Sequence, residues 1–245
     1  MTDEAPVIFS REWAVTMALV ALLTPVYTRP VTAVYGLTQL TRVLRDRPRA
    51  PVLLGLRPHE HVAELYRLQP MLSGRAVLFV GRYFYWTDYS LPEYFGLARY
   101  MFCSWDTLHS PFSRRVELRH FIQMSADRKG DNVHADAEAP VALDMTEARM
   151  IEKANRWLYR ALTATGLTGY EIRVLSLMTE GRKGNLPPRT RSLHKNNGLY
   201  KLGMTKHVMD LYRGVKVRPV LQAGLPLLAE DVTEINGLLR QGAGR

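Results

Sequence analysis

The chain has 245 residues, 47% of them hydrophobic and 23% charged, which is enough apolar mass for packed cores and excludes wholesale disorder. Thirty-three Lys and Arg stand against 23 Asp and Glu, a net charge of +10, and this favours an anionic partner: nucleic acid, acidic lipid or an acidic protein. The one cysteine, Cys103, excludes an intramolecular disulfide framework and a Cys-rich zinc module, and is compatible with a reducing cytoplasm.

From the N-terminus, Val7–Phe9 reads as a short strand. Glu12–Leu23 is an apolar helical run closed by Pro25. Its most apolar part, Trp13–Leu23, is far shorter than the roughly 20 residues that cross a bilayer. The acidic stretch Met1–Glu12 before it is no signal-peptide n-region, so a soluble, cytoplasmic protein is expected. Val31–Tyr35 is β-branched and aromatic, and Leu37–Arg47 has helical spacing. PVLLGL (Pro51–Leu56) and RAVLFVG (Arg75–Gly81) are buried-strand patterns. His59–Met71 lies between them with helical spacing. Glu93–Arg99 reads as the end of a helix, Tyr100–Cys103 as a last strand and Arg114–Met124 as a last helix. Five strands interleaved with helices imply a parallel sheet covered on both faces.

Residues 125–144 are polar and rich in small side chains, and read as a linker. Met145–Thr165 then returns to helical spacing, with Asp144 as a candidate cap. Charge is uneven along the chain. Residues 165–218 hold 11 basic and 3 acidic side chains, whereas residues 131–164 hold 4 and 6. A solvated basic face is a common origin of such a run, but so one-sided a density over a short segment favours an electrostatic footprint.

The strand and helix order of residues 6–124 resembles the receiver domain of response regulators. The resemblance implies a phospho-accepting aspartate after the third strand and an acidic pair after the first. The matching positions here are Gly55, and Ser10 with Arg11. Without a carboxylate cluster, magnesium lacks hard oxygen ligands and no acyl phosphate forms, so a phosphorylation-incompetent, receiver-like domain is expected over 1–124. Asp88 and Asp106 serve as acceptors only under a different alignment. Arg82–Tyr89 (RYFYWTDY) places five aromatics in eight residues. They read equally as packing and as an interface.

The segment LTGYEIRVLSLMTEG carries Leu167, Thr168, Glu171, Val174, Leu175, Glu180 and Gly181, and resembles the opening of the LuxR/GerE-type helix-turn-helix. Thr168 with Glu171 is also a capping box. Thr190, His194 and Lys201–Leu202–Gly203 match that family's recognition helix and the turn after it. Two departures stand out: only RKGNLPP fills the space of the middle helix, and Arg191 replaces an apolar residue. The resemblance implies that Ser192, Leu193 and Asn196 face base edges. It implies that Arg189, Arg191, Lys195, Lys201 and Lys206 hold phosphates, with Arg182 and Lys183 nearby and Thr190 and His194 on the same helix. The combination of degenerate receiver, linker and helix-turn-helix is similar to RcsA/RcsB-type regulators. The fold class expected is therefore a flavodoxin-like, doubly wound parallel five-stranded sheet (1–124), a linker (125–144), an all-α helix-turn-helix domain (145–218) and a tail helix (219–245).

The function expected is that of a transcriptional regulator binding double-stranded DNA as a homodimer or a heterodimer with a related regulator. The alternative is a protein-interaction regulator that docks or inhibits a partner regulator without touching DNA. No glycine-rich phosphate loop, Ser/His/Asp signature or metal spacing argues for an enzyme or a cofactor. His59–Glu60–His61 reads as a helix start. Membrane binding lacks a basic amphipathic face carrying Trp or Phe.

Overall fold

The computed structural model describes residues 4–126, 145–203 and 215–222. Fourteen elements follow in chain order within them. They are β1 (Val7–Phe9), α1 (Trp13–Leu23), β2 (Thr32–Val34), α2 (Leu37–Asp46), β3 (Val52–Leu54), α3 (Val62–Leu72), β4 (Ala76–Gly81), α4 (Trp86–Tyr94), β5 (Arg99–Ser104), α5 (Trp105–His109), α6 (Pro111–Ala126), α7 (Glu147–Ala164), α8 (Gly169–Thr179) and α9 (Pro188–Lys201). The strands form one parallel sheet in the order β2-β1-β3-β4-β5. This is the flavodoxin-like doubly wound order.

The side-chain period of two divides each strand between two cores. Val7, Phe9, Val52, Leu54, Val77 and Phe79 face α2, α3 and α4 through Leu40, Leu44, Leu65, Leu68 and Leu91. Ile8, Leu53, Leu78 and Val80 face α1 and α6 through Leu19, Leu23, Leu118 and Phe121. Within the runs read from sequence as buried strands, PVLLGL and RAVLFVG, the strands β3 (VLL) and β4 (AVLFVG) are buried at every residue.

Several expected bounds move. The helix expected over His59–Met71 is interrupted: a single 3-10 turn covers Pro58–Glu60, and α3 starts only at Val62. Asp88 takes the His59 backbone N–H at 2.9 Å and His59 Nδ1 at 2.7 Å, which holds this corner away from regular helix. The helix whose end was expected at Glu93–Arg99 closes at Tyr94 and begins inside the aromatic run, at Trp86. There Asp88 caps the Tyr85 N–H at 2.7 Å. The helix expected over Arg114–Met124 lies within α6, which starts earlier, at Pro111, and a short helix that was not expected, α5, precedes it across Ser110.

α7 runs along the same side of the sheet as α3 and α4. Its Ile151, Ala154 and Leu158 enter the core of the α/β unit, and Trp157 packs against that core. A smaller core gathers Leu162, Leu167, Ile172, Leu175, Leu199 and Val215. Trp86 of α4 packs against both cores. The cap proposed at Asp144 lies outside the described residues; Thr146 is the N-cap position and makes no side-chain cap bond. The tail helix expected within 219–245 also lies outside them beyond Gln222.

Candidate nucleic-acid interface

Local signals build the α8–α9 pair. The Thr168 hydroxyl accepts the Glu171 N–H at 3.3 Å, and Glu171 Oε2 accepts the Thr168 N–H at 2.7 Å, so the capping box read from sequence is formed. Two residues after the end of α8 stands Gly181, with a φ of 72°, and the Arg182 N–H returns to the Leu177 carbonyl at 2.8 Å. This six-to-one bond satisfies an end carbonyl of the helix and needs a left-handed residue that glycine supplies without strain. Pro188 starts α9, where its fixed φ suits the first turn. α9 crosses α8 closely at Gly198, where an added Cβ would stand 2.9 Å from Leu175 Cδ1.

That crossing sets which face of α9 meets solvent. Gly198 and Leu199 are buried. Arg189, Ser192, Leu193, Asn197 and Tyr200 are exposed, following the helical i, i+3/4, i+7/8, i+11 stripe. Leu193 is 57% and Tyr200 85% exposed. Asn196, expected on the base-facing side, is half-buried, and Asn197 takes the outer position. A count of helical phase from Leu199 inward would have singled out Asn197 and Tyr200.

The other candidate residues divide by partner. Arg182 lies exposed, 3.4 Å from Glu180. Lys183 is exposed and its carbonyl accepts Arg191 Nη1 at 3.2 Å, so Arg191 ties the turn to the helix. Thr190 and Lys195 are half-buried. His194 stacks on Tyr170, with centroids 5.6 Å apart and 17° between planes. Lys201 is engaged within the fold: its ammonium donates to Gly166 O at 3.0 Å and to Glu171 at 2.9 and 3.1 Å. Lys206, like the last helix expected around it, lies outside the described residues. Burial of Glu171 opposes ionisation, but Lys201 and the Thr168 N–H outweigh it and hold its carboxyl below the usual range.

The strand ends of the α/β unit carry a second cluster. At Gly55 a Cβ would stand 2.8 Å from Val15 Cγ1 and 2.9 Å from Ser10 Cβ, and the Ser10 hydroxyl donates to Gly55 O at 3.1 Å. The place of the receiver acceptor is thus filled by neighbours. Arg57 lies beside it, paired with Glu60 and 4.6 Å over the Tyr83 ring. Asp88, the alternative acceptor, is fully buried with both oxygens bonded to His59 and Tyr85. Asp106 is exposed in the first turn of α5. The sequence reading missed the His59–Asp88 and His61–Glu64 pairs, each 2.7 Å; the first joins residues 29 positions apart. Among the described residues no cluster of three His, Cys, Asp or Glu could hold a metal, and no helix is long and apolar enough to cross a membrane.

Neither a protein-family model nor a curated protein matches the chain. Among solved structures it is similar to full-length FixJ from B. japonicum, at 16% identity over 87% of this chain and 96% of that one, with a TM-score of 0.33. It is also similar to the response regulator StyR, at 18% identity over 86% of this chain and 98% of that one, with a TM-score of 0.35. These global similarities are low, and the fold assignment rests on the sheet order and the two cores.

Proposed function

We propose that this chain is a cytoplasmic, non-enzymatic transcription regulator of the response-regulator/LuxR type. It binds double-stranded DNA through α9 and acts as a homodimer or a heterodimer with a related regulator. The observation that carries this reading is the exposed α9 face, with Arg189, Ser192 and Asn197 on it and Arg182 and Lys183 on the turn before it. Arginine and lysine neutralise phosphates and set register, while an asparagine reads adenine bidentately. The receiver-like unit is not switched by aspartyl phosphorylation, because Gly55 offers no carboxylate and its surroundings leave no room for one.

Fluorescence anisotropy with random and promoter duplexes at several salt concentrations tests this. Binding is expected to weaken steeply with salt, since each neutralised phosphate releases counterions. Arg189→Ala/Lys195→Ala is expected to weaken it by at least tenfold. Binding that ignores both salt and the double substitution overturns the reading.

A second reading has its own observation. Leu193 and Tyr200 make the α9 face partly apolar, which suits a protein partner as well as a groove. On that reading the chain docks or inhibits a partner regulator without binding DNA, and Leu193→Asp/Tyr200→Asp abolishes capture of that partner.

A further inference from the structure

The junction of α7 with α3 and α4 is not closed. A cleft of about 370 Å³ opens there, within the roughly 300–1,000 Å³ of small-molecule sites, which favour interfaces between units. Tyr66 of α3, Tyr94 of α4 and Trp157 of α7 form its aromatic wall. The Tyr94 and Trp157 rings lie 5.9 Å apart, tilted by 51°. Lys153, Arg156 and Arg160 complete the lining from α7. With Trp157 they occupy i, i+3, i+4 and i+7, one stripe of the helix.

No carboxylate lines this cleft among the described residues. Arg156 pairs at 2.8 Å with Glu152, but both side chains are largely exposed, and such a pair constrains little. Among the described residues no carboxylate pairs with Lys153 or Arg160. Burial pushes the Tyr94 hydroxyl up to about 12, so it stays a neutral donor at ordinary pH. The docking of α7 is already supplied by Ile151, Ala154 and Leu158. Lys153, Arg156 and Arg160 add nothing to that contact, and Glu152 offsets only one of their three charges.

We propose that this cleft binds a mononucleotide, with its phosphate among Lys153, Arg156 and Arg160 and its base against Trp157 and the tyrosines. The cations call for an anion and the wall for a flat ring, and a nucleotide presents both on one small molecule. The bound molecule touches α3, α4 and α7 together, so it favours the docked position of α7 by mass action. This site stands apart from α9 and does not depend on DNA binding.

The test is titration of the full-length chain with adenosine and guanosine monophosphate, adenosine, and inorganic phosphate, read by tryptophan fluorescence and by calorimetry. A mononucleotide is expected to bind saturably, at least tenfold tighter than adenosine or phosphate. Lys153→Ala/Arg160→Ala, both exposed positions, is expected to weaken it at least tenfold with an unchanged circular dichroism spectrum. Trp157→Phe is expected to remove the binding-linked fluorescence change while Trp13, Trp86 and Trp105 still emit. Phosphate binding as tightly as the nucleotide overturns the proposal, as does binding indifferent to the double substitution or no saturable mononucleotide binding. A loss of duplex DNA affinity in the double variant without any mononucleotide binding also overturns it, and assigns the stripe to a nucleic-acid surface.

Discussion

Lys201 shows how a residue's type and its role part company. On sequence it is one more cation in a basic segment. In the fold it grips a carboxylate that is 3% exposed, 30 positions earlier in the chain. The sign of the coupling is definite. Glu171 is held below its usual range, so it contributes stability that is fully present above about pH 4.3, the free carboxylate value, and is lost as pH falls through its folded value. Lys201→Met removes the cation and leaves burial to dominate. The variant is expected to lose about 1–3 kcal/mol at pH 7. The gap to wild type should narrow as pH falls through the lowered folded value of Glu171, where it takes up its proton. Urea unfolding at pH 7 and pH 3.5 measures both. A gap of equal size at the two values would show that the ion pair contributes nothing. Arg75, 7% exposed, is a second engaged cation: it donates to the carbonyls of Leu44, Arg47, Ala50 and Met71, joining the ends of α2 and α3. Burial lowers it to about 10, which still leaves it charged.

Elements were read well where their signal is local. The buried-strand patterns PVLLGL and RAVLFVG and the α8 capping box needed only neighbouring residues, and a strand or cap lies where each was read. Boundaries failed where a distant group intervened, as at His59, where a carboxylate from α4 interrupts the helix. The contact between α1 and the end of β3 yields a prediction of the same kind. Gly55→Asp restores the carboxylate on paper, but its Cβ would collide with Val15 and Ser10. It is expected to cost about 1–3 kcal/mol through overpacking and to take up no phosphate from a small-molecule phosphodonor. A stable variant that incorporates phosphate would show that the strand end relaxes to accept it.

Across the described residues, α7 and the segment 215–222 are tied to the α/β unit and to one another by packing and by side-chain hydrogen bonds. α7 lends Ile151, Ala154 and Leu158 to the core of the α/β unit. Asn155 pairs with both backbone groups of Val217, at 2.8 and 3.0 Å. The Gln222 amide spans the His59 carbonyl and the Val62 N–H, at 2.8 and 3.1 Å. Asn155→Ala leaves the Val217 groups without their partner and is expected to cost about 1–3 kcal/mol. Hydrogen exchange at Val217 should quicken, while exchange in β4 changes only as far as global stability falls. Unchanged protection at Val217 would mean that the side-chain pairing does not hold this segment.

The sequence by itself determined the alternation of strands and helices, the parallel sheet, the position of the basic segment and the capped start of α8. Each rests on periodicity or on neighbours within a few residues, and those signals survive without knowledge of the fold. Only the tertiary structure decided which cations are engaged, which face of α9 is outward, how α7 docks and why Gly55 has no room. Those outcomes depend on groups far apart in the chain, such as Lys201 with Glu171 and Gly55 with Ser10, meeting through the packing of whole elements. No local pattern encodes such a meeting, because its partners are chosen by the geometry of the sheet and the helices that cover it.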